Sequence, residues 1–188
     1  AFTRDSDGRP LTITEDADGI TPRVSSLTWF GRYNFPLTVV REGLTETFTY
    51  DAKGLLLTHS QTDTKTGSPT NGQVRTWTYG YTTLASGQKV LTTLNGPGLP
   101  AEGVTDVTTY TYTAQGDLAT VTEPGALVTT VIARNGFGQP TVVETPDKTQ
   151  WTFGYDWKGR VISAGYAGPG LTPILSSFAY NTADQIIS

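Results

Sequence analysis

The sequence of 188 residues contains no cysteine and no methionine. Without cysteine there is no disulfide framework and no thiol nucleophile. That absence leaves the compartment open, since a large core dispenses with disulfides in any redox setting. Without methionine, Ala1 is not an unprocessed translation start, so the expectation is a piece of a longer polypeptide. Long hydrophobic runs are also missing, and no stretch approaches the roughly 20 apolar residues with which a helix crosses a bilayer. The opening Ala1-Phe2-Thr3-Arg4-Asp5 lacks the charged and apolar zones of a signal peptide. Positive charge is the scarcer sign, with 13 Lys and Arg against 17 Asp and Glu and a net charge of −4. Such a surface repels phosphate backbones and argues against nucleic acid as a partner. Helix formers never gather into a run with apolar residues three and four apart, which argues against helices.

What is present points to strands and turns. Gly (21) and Pro (11) are plentiful, and the stretches between aromatics are rich in Thr, which is stiff at χ1 and suits a pleated surface. The expected class is all-β, in one medium domain or a short array of repeats spanning residues 1–188.

A unit recurs along the chain: an aromatic, an Asp or Asn, two variable residues and a Gly, then an apolar stretch, a turn, and a Thr-rich stretch ending in aromatics. It is clearest as Tyr50-Asp51-Ala52-Lys53-Gly54-Leu55 and as Tyr155-Asp156-Trp157-Lys158-Gly159-Arg160. Looser copies are Tyr112-Thr113-Ala114-Gln115-Gly116 and Arg134-Asn135-Gly136-Phe137-Gly138. A partial copy opens at Arg4-Asp5-Ser6-Asp7-Gly8-Arg9, and a last one starts at Tyr180-Asn181-Thr182-Ala183-Asp184. Units are therefore expected to start near 4, 50, 79, 112, 134, 155 and 180, with the last incomplete. Positions 112, 134 and 155 are 22 and 21 residues apart. Elsewhere the spacing stretches over three Gly/Pro/Ser-rich segments, 59–73, 95–105 and 165–173, which read as elongated hairpin tips.

Each unit reads as a β-hairpin. Asp or Asn at the first turn position bonds the backbone two residues on, and Gly at the fourth closes a type I turn. Aromatics alternate on the return strands, as in Trp151/Phe153/Tyr155, Trp77/Tyr79/Tyr81 and Phe48/Tyr50, which puts each set on one strand face. Hairpins stacked side by side would align them into an aromatic ladder. The other strands alternate less cleanly, so apolar residues are expected on both faces of a curved wall.

This pattern resembles the Rhs or YD repeat, and the resemblance covers nearly the whole chain, with the stretches 20–43 and 79–109 matching loosely. It implies repeated antiparallel hairpins in a spiralling sheet that forms a hollow shell. Such shells enclose a toxin or effector domain in bacterial polymorphic toxins and insecticidal toxin complexes, and occur in teneurin ectodomains. The implied role is structural and non-catalytic, without cofactor or metal, in a secreted or cell-surface bacterial protein. Its implied partners are the rest of the shell and the enclosed domain. The residues that carry the repeat are Tyr50, Asp51, Gly54, Tyr112, Gly116, Asn135, Gly138, Tyr155, Asp156, Gly159, Tyr180 and Asn181. Toxin-type shells often end in a self-cleaving core with paired Asp-Pro-x-Gly-Leu segments. Here Gly96-Pro97-Gly98-Leu99 and Gly168-Pro169-Gly170-Leu171 lack the aspartate, so autoproteolysis is not expected.

Other chemistries read more weakly. His59 stands beside Ser60 at the start of a polar stretch, where it reads as an exposed loop residue, since adjacent side chains diverge and cannot form a nucleophile–base pair. Asp5-Ser6-Asp7-Gly8 and Asp16-Ala17-Asp18-Gly19 open like calcium loops but lack the later ligands, and read as turns. Glu42, Glu46, Glu102, Glu123 and Glu144 sit mostly at hairpin ends, and spacing alone brings no two together as a glycosidase would need. The alternative reading is a carbohydrate-binding module, for which Trp157, Trp77 and Trp151 are the stacking candidates, with Trp29 a weaker one. Trp157 stands out because it occupies a turn. Strictly alternating aromatics more often serve packing. Open sheet edges are templates for another chain, so self-association is a further expectation.

Overall fold

The computed structural model describes residues 1–15, 22–31, 33–98 and 106–187. Every regular element among the described residues is a strand. They are β1 (Phe2–Arg4), β2 (Pro10–Glu15), β3 (Arg23–Trp29), β4 (Pro36–Arg41), β5 (Leu44–Tyr50), β6 (Leu56–Asp63), β7 (Val74–Thr83) and β8 (Lys89–Asn95). They continue as β9 (Val107–Tyr112), β10 (Leu118–Glu123), β11 (Leu127–Arg134), β12 (Pro140–Glu144), β13 (Gln150–Tyr155), β14 (Val161–Ala167) and β15 (Ile174–Ser177). The sheet order is the chain order from β1 to β15, so the sheet stays open and its first and last strands each have one neighbour. Short connections between consecutive strands permit only this antiparallel meander.

The chain divides into two compact units, Ala1–Gly80 with Thr93–Asp106, and Tyr81–Thr92 with Val107–Ser188. Each is a single layer of hairpins, and neither has an interior of the usual kind. Among the described residues only Val39 and Val90 are buried apolar side chains, and Thr149 is the one buried polar residue. Side chains of consecutive strand residues point to opposite faces, so Val39 is covered while Val40 is 39% exposed. The accessible surface is 12377 Å², against about 8,800 Å² for a compact monomer of this size. Apolar area buried within the sheet is thus small, and backbone pairing and local side-chain bonds carry much of the order.

Two of the three expected tips differ from the sequence reading. The segment 59–73 is not one loop: β6 runs to Asp63, and only the residues after it turn. The polar run Thr58-His59-Ser60-Gln61-Thr62 is strand, because a single-layer sheet does not require an apolar face. The tip after β14 likewise begins beyond Ala167, and Leu99 to Thr105 of the third tip lie outside the described residues.

Candidate functional site

The Tyr-Asp turns share one construction. At Asp51 the backbone N–H of residue 51 donates to the Leu55 carbonyl at 2.9 Å, and Gly54 N–H donates to the Asp51 carbonyl at 3.0 Å. Asp51 Oδ1 accepts the backbone N–H of Lys53 at 2.8 Å and of Leu55 at 2.9 Å. Gly54 has φ +86, the left-handed conformation that ends a type I turn in a G1 bulge. The same loop of backbone bonds closes at 5–9, 84–88, 113–117, 135–139, 156–160 and 181–185. Phe30 to Phe35 is a one-residue-longer version in the stretch that matched loosely in sequence. The turn of the unit expected near Tyr79 lies at Leu84–Gln88, with leucine in place of the Asx residue.

At four of the turns the first and fifth positions are chemically matched. Asp5 Oδ2 accepts from Arg9 Nε at 2.7 Å, and Asp156 Oδ2 from Arg160 Nε at 2.7 Å. Where Asn replaces Asp, Gln replaces Arg: Asn135 Nδ2 donates to Gln139 Oε1 at 2.9 Å, and Asn181 Nδ2 to Gln185 Oε1 at 2.9 Å. Burial pushes the Asp5 and Asp156 carboxyls up, but the hydrogen bonds and charge of Arg9 and Arg160, with backbone N–H groups, hold them below the usual range.

At four turns the aromatic before the turn locks it to the preceding turn on the same edge. The donors and carbonyls are Trp29 Nε1 to Pro10 (2.9 Å), Tyr50 OH to Pro36 (2.9 Å), Tyr155 OH to Pro140 (2.8 Å) and Tyr180 OH to Val161 (2.7 Å). In each case the acceptor is the first strand residue after the previous turn. Tyr112 OH reaches the Leu91 carbonyl at 2.7 Å. Arg134 stands where tyrosine is expected and makes the equivalent bond from Nη2 to the Leu118 carbonyl, while its Nη1 donates to Gly138 at 2.8 Å. Burial raises the Tyr50 phenol, and burial with Tyr110 beside it raises Tyr112, so both stay protonated as donors.

Neighbouring turns also touch through the fifth position. A Cβ built on Gly54 would come within 2.8 Å of the Phe35 ring, one on Gly116 within 2.5 Å of Gln88 Oε1, and one on Gly159 within 3.1 Å of Gln139 Nε2. Gln139 Nε2 donates to the Gly159 carbonyl at 3.0 Å, and Arg9 Nη1 to those of Gly31 and Tyr33 at 2.7 and 2.9 Å. Glycine at the fourth position therefore serves the turn and its neighbour at once.

On the strand faces, the expected ladder is local. The Phe48 and His59 rings stack at 4.5 Å and 3°, and His59 stacks on Trp77 at 5.2 Å and 19°. His59 Nε2 lies 3.2 Å from Glu46 Oε1, which also accepts from Gln61 Nε2 at 3.3 Å. His59 is thus a half-buried packing residue of a strand, not an exposed loop residue. The rings of Phe30, Tyr33, Phe35 and Tyr50 form a second cluster with centroids 5.3–5.7 Å apart. The opposite face carries threonine pairs that share hydrogen bonds across strands, Thr3–Thr12, Thr28–Thr38, Thr49–Thr58 and Thr111–Thr120, at 2.6–2.7 Å.

Neither protein-family models nor curated proteins match the chain. Solved structures do. A crystal structure of TcdB2-TccC3-TEV matches over 100% of the chain with TM-score 0.66 and 16% identity, and one of TcdB2-TccC3 over 96% with TM-score 0.68 and 15% identity. The Tc holotoxin pore of Photorhabdus luminescens matches over 96% with TM-score 0.64 and 16% identity. These toxin-complex structures contain Rhs/YD-repeat shells. The fold is that of the YD-repeat sheet. The chain spans 11%, 10% and 9% of the three matched chains, so it is similar to about a tenth of each.

Within this YD-repeat sheet the remaining candidates divide cleanly. Trp77 is stacked on His59, and Trp151, 38% exposed, tilts against Tyr166 at 5.0 Å. Trp157 is 84% exposed and stands beside Phe137, 87% exposed on the adjacent turn. Together with Gln139, Lys158 and Gly159 they line an open cleft of about 300 Å³. The pairing of these two turn tips was not legible in sequence, because Phe137 sits between Gly136 and Gly138 in a stretch that reads only as a turn. Asp5 and Asp7 are held by Arg9 rather than arranged around a cation site, and Asp16–Gly19 lie outside the described residues. Among the described residues no three His, Asp or Glu converge as metal ligands. Glu46 is paired with Arg41 and His59, and Glu144 with Lys148, while Glu102 lies outside the described residues.

Proposed function

We propose that this chain is a structural, non-catalytic stretch of a YD-repeat shell wall, part of a secreted or cell-surface bacterial protein, which encloses a toxin or effector domain. The observation that carries the reading is the single-layer sheet. It holds an ordered row of interlocked turns yet buries almost no apolar side chain, and its accessible surface far exceeds that of a compact monomer. Such a layer separates two compartments by continuous backbone pairing, and its chemistry is spent on linking one hairpin to the next. The likeness to toxin-complex structures supports the same reading. Its partners are then the rest of the wall and the enclosed domain.

The test is limited proteolysis of the parent polypeptide. A wall predicts a resistant β-rich body and an adjoining domain that is protected in the intact protein. Substituting Tyr50→Ala and Tyr155→Ala, which cuts two of the turn-to-turn locks, should expose that domain to cleavage. If the adjoining domain is digested equally fast with the wall intact, the enclosure reading fails.

A second reading, a carbohydrate-binding surface, is favoured by one observation: Trp157 and Phe137 project from adjacent turns with Gln139 and Lys158 between them. A flat aromatic pair beside polar side chains suits a sugar ring. Titration of a glycan panel against Trp fluorescence, with Trp157→Ala as control, separates the two. A saturable response lost in the variant would favour binding, and no response from any glycan would remove it.

A further inference from the structure

Three Asn-Gly pairs occur in the chain: Asn71-Gly72, Asn95-Gly96 and Asn135-Gly136. Glycine leaves the backbone nitrogen after an asparagine unshielded, so residue type alone makes all three open to cyclisation. The turn 135–139 sets one of them apart. We infer that Asn135 is a self-modification site, where the Gly136 nitrogen attacks the Asn135 side-chain amide and converts it, through a succinimide, to aspartate or isoaspartate. The inference is independent of what the sheet encloses.

The nucleophile is the first difference. Gly72 N–H donates to the Asp63 carbonyl at 2.7 Å and Gly96 N–H to the Asp106 carbonyl at 2.8 Å, so cyclisation at either breaks a backbone bond. Gly136 is the second residue of a type I turn, whose closing bond runs from the fourth residue to the first, here Gly138 N–H to the Asn135 carbonyl at 3.0 Å. Its own N–H has no partner among the described residues, and the residue is exposed.

The electrophile is the second difference. Asn135 Oδ1 accepts two backbone N–H groups, from Phe137 at 3.0 Å and from Gln139 at 3.1 Å. They fold the side chain back along its own backbone and polarise the amide. When the Gly136 nitrogen adds to Cγ, negative charge gathers on Oδ1, where both donors already point. Exposure alone would choose differently, since Asn71 and Gly72 are both exposed while Asn135 is half-buried.

The reaction balances with water alone. The bond from Gly136 N to Cγ forms and the Cγ–Nδ2 bond breaks. Ammonia leaves, carrying the equivalent of the proton that Gly136 N gave up to water. Water then opens the ring at Cγ, giving aspartate, or at the main-chain carbonyl, giving isoaspartate. Aspartate already stands at this position in the turns 5–9, 51–55 and 156–160, but it has no N–H to offer Gln139 Oε1 in place of Asn135 Nδ2. Gln139 then turns its amide toward the new carboxylate and gives up its bond from Nε2 to the Gly159 carbonyl. Isoaspartate lengthens the main chain by a carbon and opens the loop itself. Either product loosens the junction between the turns 135–139 and 156–160.

A control lies in the same chain. Asn181 sits in the same cradle, with Oδ1 accepting from Ala183 N–H at 2.9 Å and Gln185 N–H at 3.0 Å and Nδ2 donating to Gln185 Oε1 at 2.9 Å. The residue after it is Thr182, whose branched side chain crowds the attacking nitrogen.

The test compares the folded protein with the same protein in guanidinium chloride, both held at mildly alkaline pH. Each asparagine is followed by peptide mass mapping, with isoaspartate read by enzymatic methylation. Unfolded, the three Asn-Gly pairs should convert at similar rates. Folding should slow Asn71 and Asn95 severalfold, up to about tenfold, through the backbone bond each must break. Asn135 should be slowed less than either. Gly136→Thr should silence Asn135 with circular dichroism unchanged, and Thr182→Gly should bring Asn181 to the rate of Asn135. Folding that slows Asn135 as much as Asn71 or Asn95 would overturn the inference. So would a folded Thr182→Gly protein in which Asn181 converts no faster than Asn71, because the cradle would then promote nothing.

Discussion

At the scale of single residues, the repeat is held by a small set of exchangeable donors. Tyrosine, tryptophan and arginine all serve at the position before the turn, because each carries an N–H or O–H at the end of a long side chain and can reach the carbonyl across the junction. The requirement is for a donor at a given reach, not for an aromatic ring. Removing the donor from Tyr50 as phenylalanine strips the Pro36 carbonyl of its partner and should cost about 0.5–1.5 kcal/mol of unfolding free energy in a urea titration. Arg134 makes two such bonds, so Arg134→Met should cost more than Arg134→Tyr, which restores a phenol able to reach Leu118. Equal losses for the two Arg134 variants would show that the charge or the aliphatic stem, and not the donor, is what the junction uses.

At the scale of the element, the turn combines two demands on one glycine. Gly8 and Gly54 share the left-handed conformation, with φ of +80 and +86, but only Gly54 has a neighbour, the Phe35 ring, in the space of a Cβ. Gly8→Ala should therefore cost about 1–2 kcal/mol from backbone strain alone. Gly54→Ala should cost about 1 kcal/mol or more beyond that, as the overpacked ring is forced aside. The far edge shows the reverse case. Lys148 sits at the glycine position of the turn 145–149 with φ 67, and its amine makes only an exposed bond to Glu144. Lys148→Gly should raise the thermal midpoint by the equivalent of about 0.5 kcal/mol, the relief of strain offset by extra freedom in the unfolded chain. These turns also mark what was legible in the sequence. Asx at the first position and Gly at the fourth announce the turns at 51–55, 135–139 and 156–160, since each residue type has a local reason to be there. The turn at 84–88 hid because leucine stands where the Asx residue is expected, and that at 30–35 because it is one residue longer. There the backbone bonds close the loop with no Asx at the first position, and backbone bonds leave no trace in residue type.

At the scale of the whole molecule, the weak point of the sequence reading and the sheet's acid response share one cause: a single layer has little interior. Apolar alternation marks a strand when one face must be dry. Here neither face is, so β6 carries Thr58-His59-Ser60-Gln61-Thr62 in its middle and reads as loop, and the exposed Phe137–Trp157 pair becomes visible only when two turns lie side by side. With little apolar burial to draw on, the stability of the sheet leans on its turn carboxylates. Hydrogen bonds from Ser68 and Thr70 hold Asp63 low, those from Thr145 and Thr149 hold Asp147 low, and those from Lys158 and Arg160 help to hold Asp184 low, alongside Asp5 and Asp156. A carboxyl depressed in the folded state contributes stability that is fully present above its unfolded value near 3.9 and is lost as pH falls through the lower folded value. The sheet should therefore lose stability on acidification below about pH 4. The Asn–Gln turns supply the control. Converting Asp156→Asn together with Arg160→Gln copies the pairing seen at 135–139, keeps the acceptor for both backbone N–H groups, removes one titrating carboxyl and takes away the Arg160 bond that helps to hold Asp184 low. The urea midpoint of this double variant should fall less between neutral pH and about pH 3 than that of the parent sequence. An unchanged acid response would mean that the turn carboxylates are not what the sheet leans on, and that the few covered side chains around Val39 and Val90 hold more of its stability than their burial suggests.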